Sequence, residues 1–394
     1  NLSSVMKDGN RTVDASSGAN RQYLYQQATS DSIDRFEVTK SPTPDMDADS
    51  IGGAVNMISR SAFDNKGERR ISASAGLLWR VFDHERAPHP ESSYSISYSE
   101  VFKDKVGVSL SFGRRKHYHP NIIAQSNYAN ITAPNPTYIT SHGTNDFRIA
   151  KERIGGDLKL DYRLSDRSRF SLSTSLSTYT EHFFSSSTSY STAAATASVV
   201  PGFTSTVTEW RQIPNTMLSA NAYDAVIKKG ARHSQFEGKH RYEGLEIDYN
   251  VYDAGGTMRQ TRPQMALIVR NIGLRITRTA PGAHPVTITQ TAGPDITKIG
   301  SYTENNFTTS DSSVDGDVWG ATLNAKKSFA TVVPTWIKAG LRVREEKRDA
   351  TSIPWTGPYV GPDGVMGVNP ATGINDDNLA QFVNPHPLKT GDFL

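Results

Sequence analysis

A strict period of two governs long stretches of the chain, and a β-sheet with one apolar and one wet face satisfies it. Val106-Gly107-Val108-Ser109-Leu110-Ser111-Phe112-Gly113 alternates without a break. Ile71, Ala73, Ala75, Leu77, Trp79 and Val81 share one face. Tyr94, Ile96 and Tyr98 stand between serines, and Leu158, Leu160, Tyr162 and Leu164 stand between charges. Leu245–Val251 and Ile337–Val343 repeat the pattern.

The connections between these runs add a second constraint. Some are very short: Lys103-Asp104-Lys105, the turn Ser165–Ser168, Glu243-Gly244, and Ala330–Pro334. Others are long, roughly 84–92, 119–151, 185–231 and 254–312. Short and long connections alternate, which a soluble sandwich has no reason to do. Outer-membrane barrels do it, with short periplasmic turns and long external loops. Trp79, Phe82, Phe102, Tyr118, Tyr179, Phe183, Phe184, Tyr252 and Phe329 stand towards strand ends, where interfacial girdles belong. The expected fold is a transmembrane antiparallel β-barrel over residues 70–394, preceded by a small α+β segment over residues 1–63.

Composition is compatible with that fold. Hydrophobic residues make up 36% of the 394 positions, and no apolar run is long enough for a membrane-spanning helix. A barrel shows lipid only every second residue, so a low apolar content does not exclude it. The net charge of +3, with no basic run, gives no support for nucleic acid. With no cysteine, disulfides, thiolate metal sites and cysteine nucleophiles are excluded. The ten histidines are scattered; His117 and His119 share one side of a strand end and are more simply solvent-facing than metal-binding. No H-E-x-x-H or G-x-S-x-G occurs, and no enzyme is expected.

Before the barrel pattern lies SIDRFEVTKSPTPDMDADSIGGAVNMISR, residues 32–60. Its alternate aspartates Asp45, Asp47 and Asp49 suggest a calcium loop. An EF-hand wants Gly at position 6 and Glu at position 12, and here those places hold Ser50 and Asn56. A phosphate cradle wants Lys after its glycines, and none follows Gly52-Gly53. The glycine pair supplies a tight turn or close approach before a strand at 54–59. Pro42 and Pro44 stiffen the approach.

This stretch resembles the end of the plug domain of TonB-dependent outer-membrane receptors, where I-x-x-I-E-V-x-K-[GS]-P leads through a loop to I-G-G-x-[IV]-N. Ile33, Glu37, Val38, Lys40, Pro42, Ile51, Gly52, Gly53, Val55 and Asn56 match, and Phe36 replaces the usual Ile or Val. Upstream, Asp8-Gly9 resembles the family's V-x-x-D-G segment. The acidic loop TPDMDAD resembles a branch often associated with carbohydrate or other large nutrients. The resemblance implies a Gram-negative outer-membrane location, outer-membrane lipid around the barrel, and energised uptake of a scarce nutrient, carbohydrate or iron chelate (siderophore), with no cofactor. It implies coupling to the TonB complex through a segment absent upstream of Asn1. A full barrel of the family has about 22 strands. The confident hairpins here give about nine, or up to a dozen if 205–218 and 265–279 also pair, so the chain reads as a fragment.

Arg35, Glu37 and Lys40 are expected to pair with wall charges such as Glu246, Asp248, Arg342 or Arg344. External loops at about 119–151, 185–231, 254–312 and 349–394 are expected to contact ligand. Trp210, Tyr223, Tyr302, Trp355 and Tyr359 are the candidate ligand-facing aromatics. Two rival readings stand beside this one. A passive porin or adhesin barrel would carry no plug. A secreted soluble β protein would bury both sheet faces and would not need detergent.

Overall fold

The computed structural model describes residues 4–13, 33–41, 52–65, 68–79, 90–129, 137–280, 286–330, 333, 335–358, 360, 363–365 and 367–374. The N-terminal strands are β1 (Ser4–Lys7), β2 (Asn10–Arg11), β3 (Ile33–Thr39) and β4 (Ala54–Ser59). Then follow β5 (Arg70–Leu78), β6 (Glu91–Phe102), β7 (Val106–Ala129), β8 (Tyr138–Ser165) and β9 (Ser168–Ser191). The rest are β10 (Val207–Trp210), β11 (Met217–Tyr242), β12 (Leu245–Thr261), β13 (Gln264–Arg270), β14 (Gly273–Thr277), β15 (Thr287–Ala292), β16 (Glu304–Phe329) and β17 (Thr335–Gly357). Helix is confined, among the described residues, to short 3-10 turns such as Ala62–Asn65.

The main sheet is antiparallel and runs β5-β6-β7-β8-β9-β11-β12-β16-β17, with β13 inserted between β11 and β16 at one end. The strands on either side of each of the four short connections pair antiparallel, as expected. One face is apolar: Leu110, Leu158, Leu172, Val251, Leu323 and Leu341 point the same way, and Leu323 is 51% exposed. The other face is small or polar. One registered row on it reads Ser74, Ser95, Gly113, Gly155, Ser177, Ala231, Gly256, Gly316 across eight strands.

The apolar residues form a level band across tilted strands. A line of registered partners leaves Ala75 on β5 and passes Tyr94, Arg114, Ile154, Thr178, Gly230, Thr257 and Asp315 to Asp349 on β17. Ala75 is the middle of its apolar stretch, but Asp349 lies nine residues beyond the middle of Ile337–Val343. Nine residues is about 30 Å, and eight strand spacings are about 38 Å. The strands therefore cross the band at about 40°, the tilt of membrane barrels. On β8 the band runs from Ile154 to Leu164. That is about 33 Å along the strand and about 25 Å across the band, the height of a barrel's lipid face. The main sheet thus has the geometry of an outer-membrane β-barrel wall.

The strands continue far beyond this band, into much of the loops expected at 119–151, 185–231 and 254–312 and into 349–357 of the loop expected at 349–394. β8 is 28 residues long and β9 is 24, where about 9–11 span a bilayer. Above the band both faces are wet, so Ser185-Ser186-Ser187-Thr188-Ser189 has no apolar alternation to reveal a strand. The backbone ladder holds it, with cross-strand bonds from Ser185 Oγ to Asn145 Oδ1 and between the Thr144 and Thr188 hydroxyls. The possible pairing of 205–218 with 265–279 takes two forms. β10 pairs β14 in a small sheet with β15, and the start of β11 pairs β13.

The girdle is also redistributed. Phe102, Phe329 and Trp79 are exposed near strand ends, joined by Trp319, whose Nε1 donates to Glu345. Tyr179 and Tyr252 are buried on the polar face instead, because their registers fall on its parity. Phe82 lies outside the described residues.

The N-terminal strands form a separate sheet, β2-β1-β4-β3. Segments 33–39 and 54–59 are strands as expected; no α-helix accompanies them among the described residues, so the expected α+β character is not seen there. The two sequence motifs meet: Ser59 N and Oγ donate to Asp8 Oδ1 and Oδ2 at 2.7 and 2.6 Å, and Gly9 N donates to Asn56 Oδ1 at 2.9 Å. Gly53 has φ +105°, and a Cβ there would lie 2.7 Å from Thr39 O. Gly53→Ala is expected to destabilise this sheet by about 1–3 kcal/mol, read as faster amide exchange in β3 and β4 with exchange in β7–β9 unchanged.

Candidate functional site

The N-terminal unit packs on the polar face of the wall. Lys7 Nζ reaches Asp157 Oδ1 at 2.7 Å, and Asn10 Nδ2 donates to Gln235 Oε1 at 2.5 Å. Val13 packs with Tyr252, Ala254 and Val318. It needs the bare backbone of Gly316, where a Cβ would lie 2.7 Å from Val13 Cγ1. After β4, Ser61 Oγ donates to Asp161 Oδ2 at 2.6 Å and accepts from Arg169 Nη2 at 2.7 Å. The guanidinium groups of Arg163 and Arg169 both contact the Phe63 ring, at 4.3 and 4.9 Å from its centre.

These contacts differ from the expected ones. Arg35 pairs with Glu37 and Asp34 on its own exposed strand, at 2.9 and 3.3 Å. The reason is position: β3 is the outer strand of its sheet, whereas Lys7 on β1 faces the wall. Ile33, Arg35, Glu37 and Val38 lie on β3 beside β4, with Glu37 opposite Asn56 and Val38 opposite Val55. Lys40 follows β3 and Gly52 precedes β4, and Pro42 and the aspartates Asp45, Asp47 and Asp49 lie outside the described residues.

Above the N-terminal unit, the same face of the wall carries aromatic and basic side chains. In register they climb from Arg115, Arg153, Tyr179 and Lys229, through Lys151 and Glu181, to Phe183, Phe147 and Tyr223. Phe147 meets Phe183 edge-on at 5.3 Å, and Phe183 stacks on Tyr223 at 4.9 Å. The exposed Arg262 guanidinium caps Tyr223 at 4.7 Å. Lower down, Arg153 and Lys229 flank the Tyr179 ring, each at 5.8 Å, and Tyr179 donates to Glu181, 3.7 Å from Lys151 Nζ. His117 Nδ1 is 2.8 Å from Glu91 Oε2 at the edge of this group, and its ring stacks on His119 at 6.2 Å. Five cations (Arg115, Lys151, Arg153, Lys229, Arg262) face two carboxylates (Glu91, Glu181). A half-exposed aromatic step below a free-facing guanidinium can stack a planar group and neutralise an anion. Burial pushes the Tyr223 phenol above its usual value, while Arg262 opposes that shift, so the phenol stays a neutral donor at neutral pH.

Of the five aromatic candidates, Tyr223 is the one in this step. Trp210 is 1% exposed, at the centre of a cluster with Tyr138, Ile139, Leu218, Val269, Ile272, Leu274 and Ile276. Its Nε1 donates to Ile139 O at 2.7 Å, so it presents no face to a ligand. Tyr302 packs on the rim of that cluster and donates to Ile296 O at 2.9 Å; burial, helped by nearby Tyr190, pushes its phenol up to about 12. Trp355 is exposed on the apolar-face side of β17, 5.8 Å from Phe307. Tyr359 lies outside the described residues. Phe147 and Phe183 were invisible as partners in the sequence, because only strand register brings them beside Tyr223.

No protein-family model matches the chain, and no curated protein does. Among solved structures it is similar to the siderophore receptor PiuA from Acinetobacter baumannii, at 10% identity and a TM-score of 0.22, over 89% of this chain and 55% of that one. It is also similar to the ferric-catecholate import receptor Fiu from E. coli K12, at 11% identity and a TM-score of 0.29, over 89% and 60%. The ferric citrate transporter FecA in its unliganded form gives 8% identity and a TM-score of 0.25, over 90% and 65%. The chain therefore spans between half and two thirds of the length of these three structures.

Proposed function

We propose that the chain forms part of an outer-membrane receptor that imports a small-molecule nutrient. In this reading residues 1–63 are the end of a plug and residues 70–394 are barrel wall with its external extensions. The TonB complex would supply energy through a segment upstream, and outer-membrane lipid would cover the apolar band. The observation that carries the reading is the two-sided wall: a level apolar band on one face and, on the other, a docked N-terminal unit with a basic aromatic step above it. A passive pore has no use for a folded unit bonded across its polar face.

The step favours an anionic ligand with a flat or ring-bearing part, such as an iron chelate, over a neutral carbohydrate. Cations on a saccharide site would be desolvated without a charge to meet. Two measurements test this. Cells lacking the full coding sequence are expected to lose uptake of a labelled ferric chelate, with uptake of a neutral oligosaccharide unchanged. An uncoupler is expected to abolish the uptake restored by the intact gene; uptake that survives the uncoupler would return the chain to the passive-pore reading. Replacing Arg262 and Tyr223 together by alanine is expected to weaken chelate binding about tenfold to a hundredfold, from the loss of a cation–π contact and a stacking face.

A further inference from the structure

Between the N-terminal unit and the wall lies a small cavity of about 40 Å³, lined among others by Lys7, Ser59, Asp157, Ser173 and His233. That is room for about two or three waters. Lys7 and Asp157 make an ion pair across it with side chains only 13% and 15% exposed. The His233 imidazole is 5% exposed, and its Nε2 has no hydrogen-bond partner. Ser173 Oγ is buried without a partner as well. A buried polar atom left unpaired is costly, so a polar group stranded at an interface between two bodies calls for an explanation.

The charged groups around the imidazole are Lys7 from β1, Asp8 from the turn after it, Arg60 after β4, Arg70 on β5, and Asp157 and Lys159 on β8. β9 contributes the uncharged Ser173, Thr174 and Ser175, and β12 contributes the Tyr252 ring, stacked at 6.4 Å. On β11 itself Gln235 is held by Asn10, and Glu237 pairs with Lys239. Asp157 is therefore the carboxylate of the wall that lines the cavity with both Lys7 and His233.

We propose that His233 is an acid-operated release for the N-terminal unit, its protonated imidazole taking the Asp157 carboxylate from Lys7. A proton from solvent turns the unpaired Nε2 acceptor into a charged donor, and two cations then compete for the Asp157 carboxylate, since both Asp8 oxygens already accept from Ser59 N and Oγ. His233 is fixed to the wall, whereas Lys7 can leave with β1 into water. Histidine is the side chain that changes charge between about pH 5 and 8. The docked unit is tethered above that range and loosened as pH falls through it. The inference rests on the reading of residues 1–63 as a closure that moves.

Amide exchange of the full chain in detergent micelles, at pH 7.5 and 5.0 and corrected for intrinsic rates, tests it with the proton itself as probe. In the unaltered protein, exchange in residues 4–13 is expected to quicken at least about tenfold at pH 5.0, with β7–β9 unchanged. His233→Gln is expected to remove that pH dependence and keep the slow rate. Lys7→Gln is expected to give the fast rate at both pH values. Equal pH dependence in the unaltered protein and His233→Gln overturns the proposal, as does no pH dependence at all. Should His233→Gln not fold, Lys7→Gln decides: a tenfold pH response persisting in it overturns the latch. Energised uptake without a pH response would sink the latch alone, and a pH response with uncoupler-insensitive uptake would sink the receptor reading alone.

Discussion

Leu323→Arg is expected to destabilise the folded chain in a bilayer by about 2–4 kcal/mol, the cost of a lipid-facing cation near the midplane of a barrel. Leu323 sits between Trp319 and Phe329 on β16, at the middle of the apolar band, with half its surface uncovered. On a soluble sheet the same exposed position would tolerate arginine within about 0.5 kcal/mol, so the size of the effect separates the two settings. Thr322→Arg is the matched control. Its side chain points to the polar face, opposite Asn250, whose Oδ1 is buried without a partner and can accept from the new guanidinium. Urea titrations of both variants in phospholipid vesicles are the measurement. Equal, small effects for Leu323→Arg and Thr322→Arg would falsify the claim that lipid covers this face.

The band was legible because its constraint is local. A residue two places along a strand must again be apolar, and Leu245, Ile247, Tyr249 and Val251 obey that without reference to any neighbour. The tight turns were legible for a similar reason. Lys103 and Asp104 both take positive φ, and a three-residue polar break between apolar runs leaves few other ways back. The N-terminal strands were legible through Gly53, a position that only a residue without Cβ fills comfortably. What the sequence concealed is whatever depends on register. The upper halves of β8 and β9 show no alternation, since neither face needs to be apolar there. Lys7 and Asp157 are separated by 150 positions, and nothing local singles either out above Arg35 or Asp248. The aromatic step needs Phe147, Phe183 and Tyr223 from three strands, so one member could be guessed and the set could not. Trp210 shows the opposite failure: a tryptophan in a polar connection looks like a binding residue until short strands such as β10 and β14 close around it.

That tryptophan carries the largest effect expected of any single change. Trp210→Ala is expected to cost its cluster and the small sheet of β10, β14 and β15 about 3–5 kcal/mol, the range for deleting a large buried aromatic side chain. Two further losses point the same way. Ile139 O loses its donor inside a buried cluster, and the bridge between Val199 and Trp210 loses the side chain that fills the space beneath it. Trp210→Phe separates these terms, keeping most of the volume and removing the hydrogen bond, so it is expected to cost about 1–3 kcal/mol. The cluster includes Tyr138 and Ile139 at the start of β8, Leu218 at the start of β11 and Val269 on β13, and Tyr190 and Tyr128 at the far ends of β9 and β7 pack against it. The lipid band lies elsewhere on those strands, and its backbone ladder does not depend on the cluster. The damage should therefore be local. Protease is expected to cut Trp210→Ala within 192–216 and 278–303 at concentrations that leave the unaltered chain intact, while heat-resistant strand structure in detergent persists. Loss of Tyr223-dependent chelate binding should follow, since Leu218 and Tyr223 share one strand and the cluster fixes its upper end. Cleavage spreading into β5–β9 would mean that the main sheet and the Trp210 cluster fold as one unit, and the claim that the damage stays local would have to be abandoned.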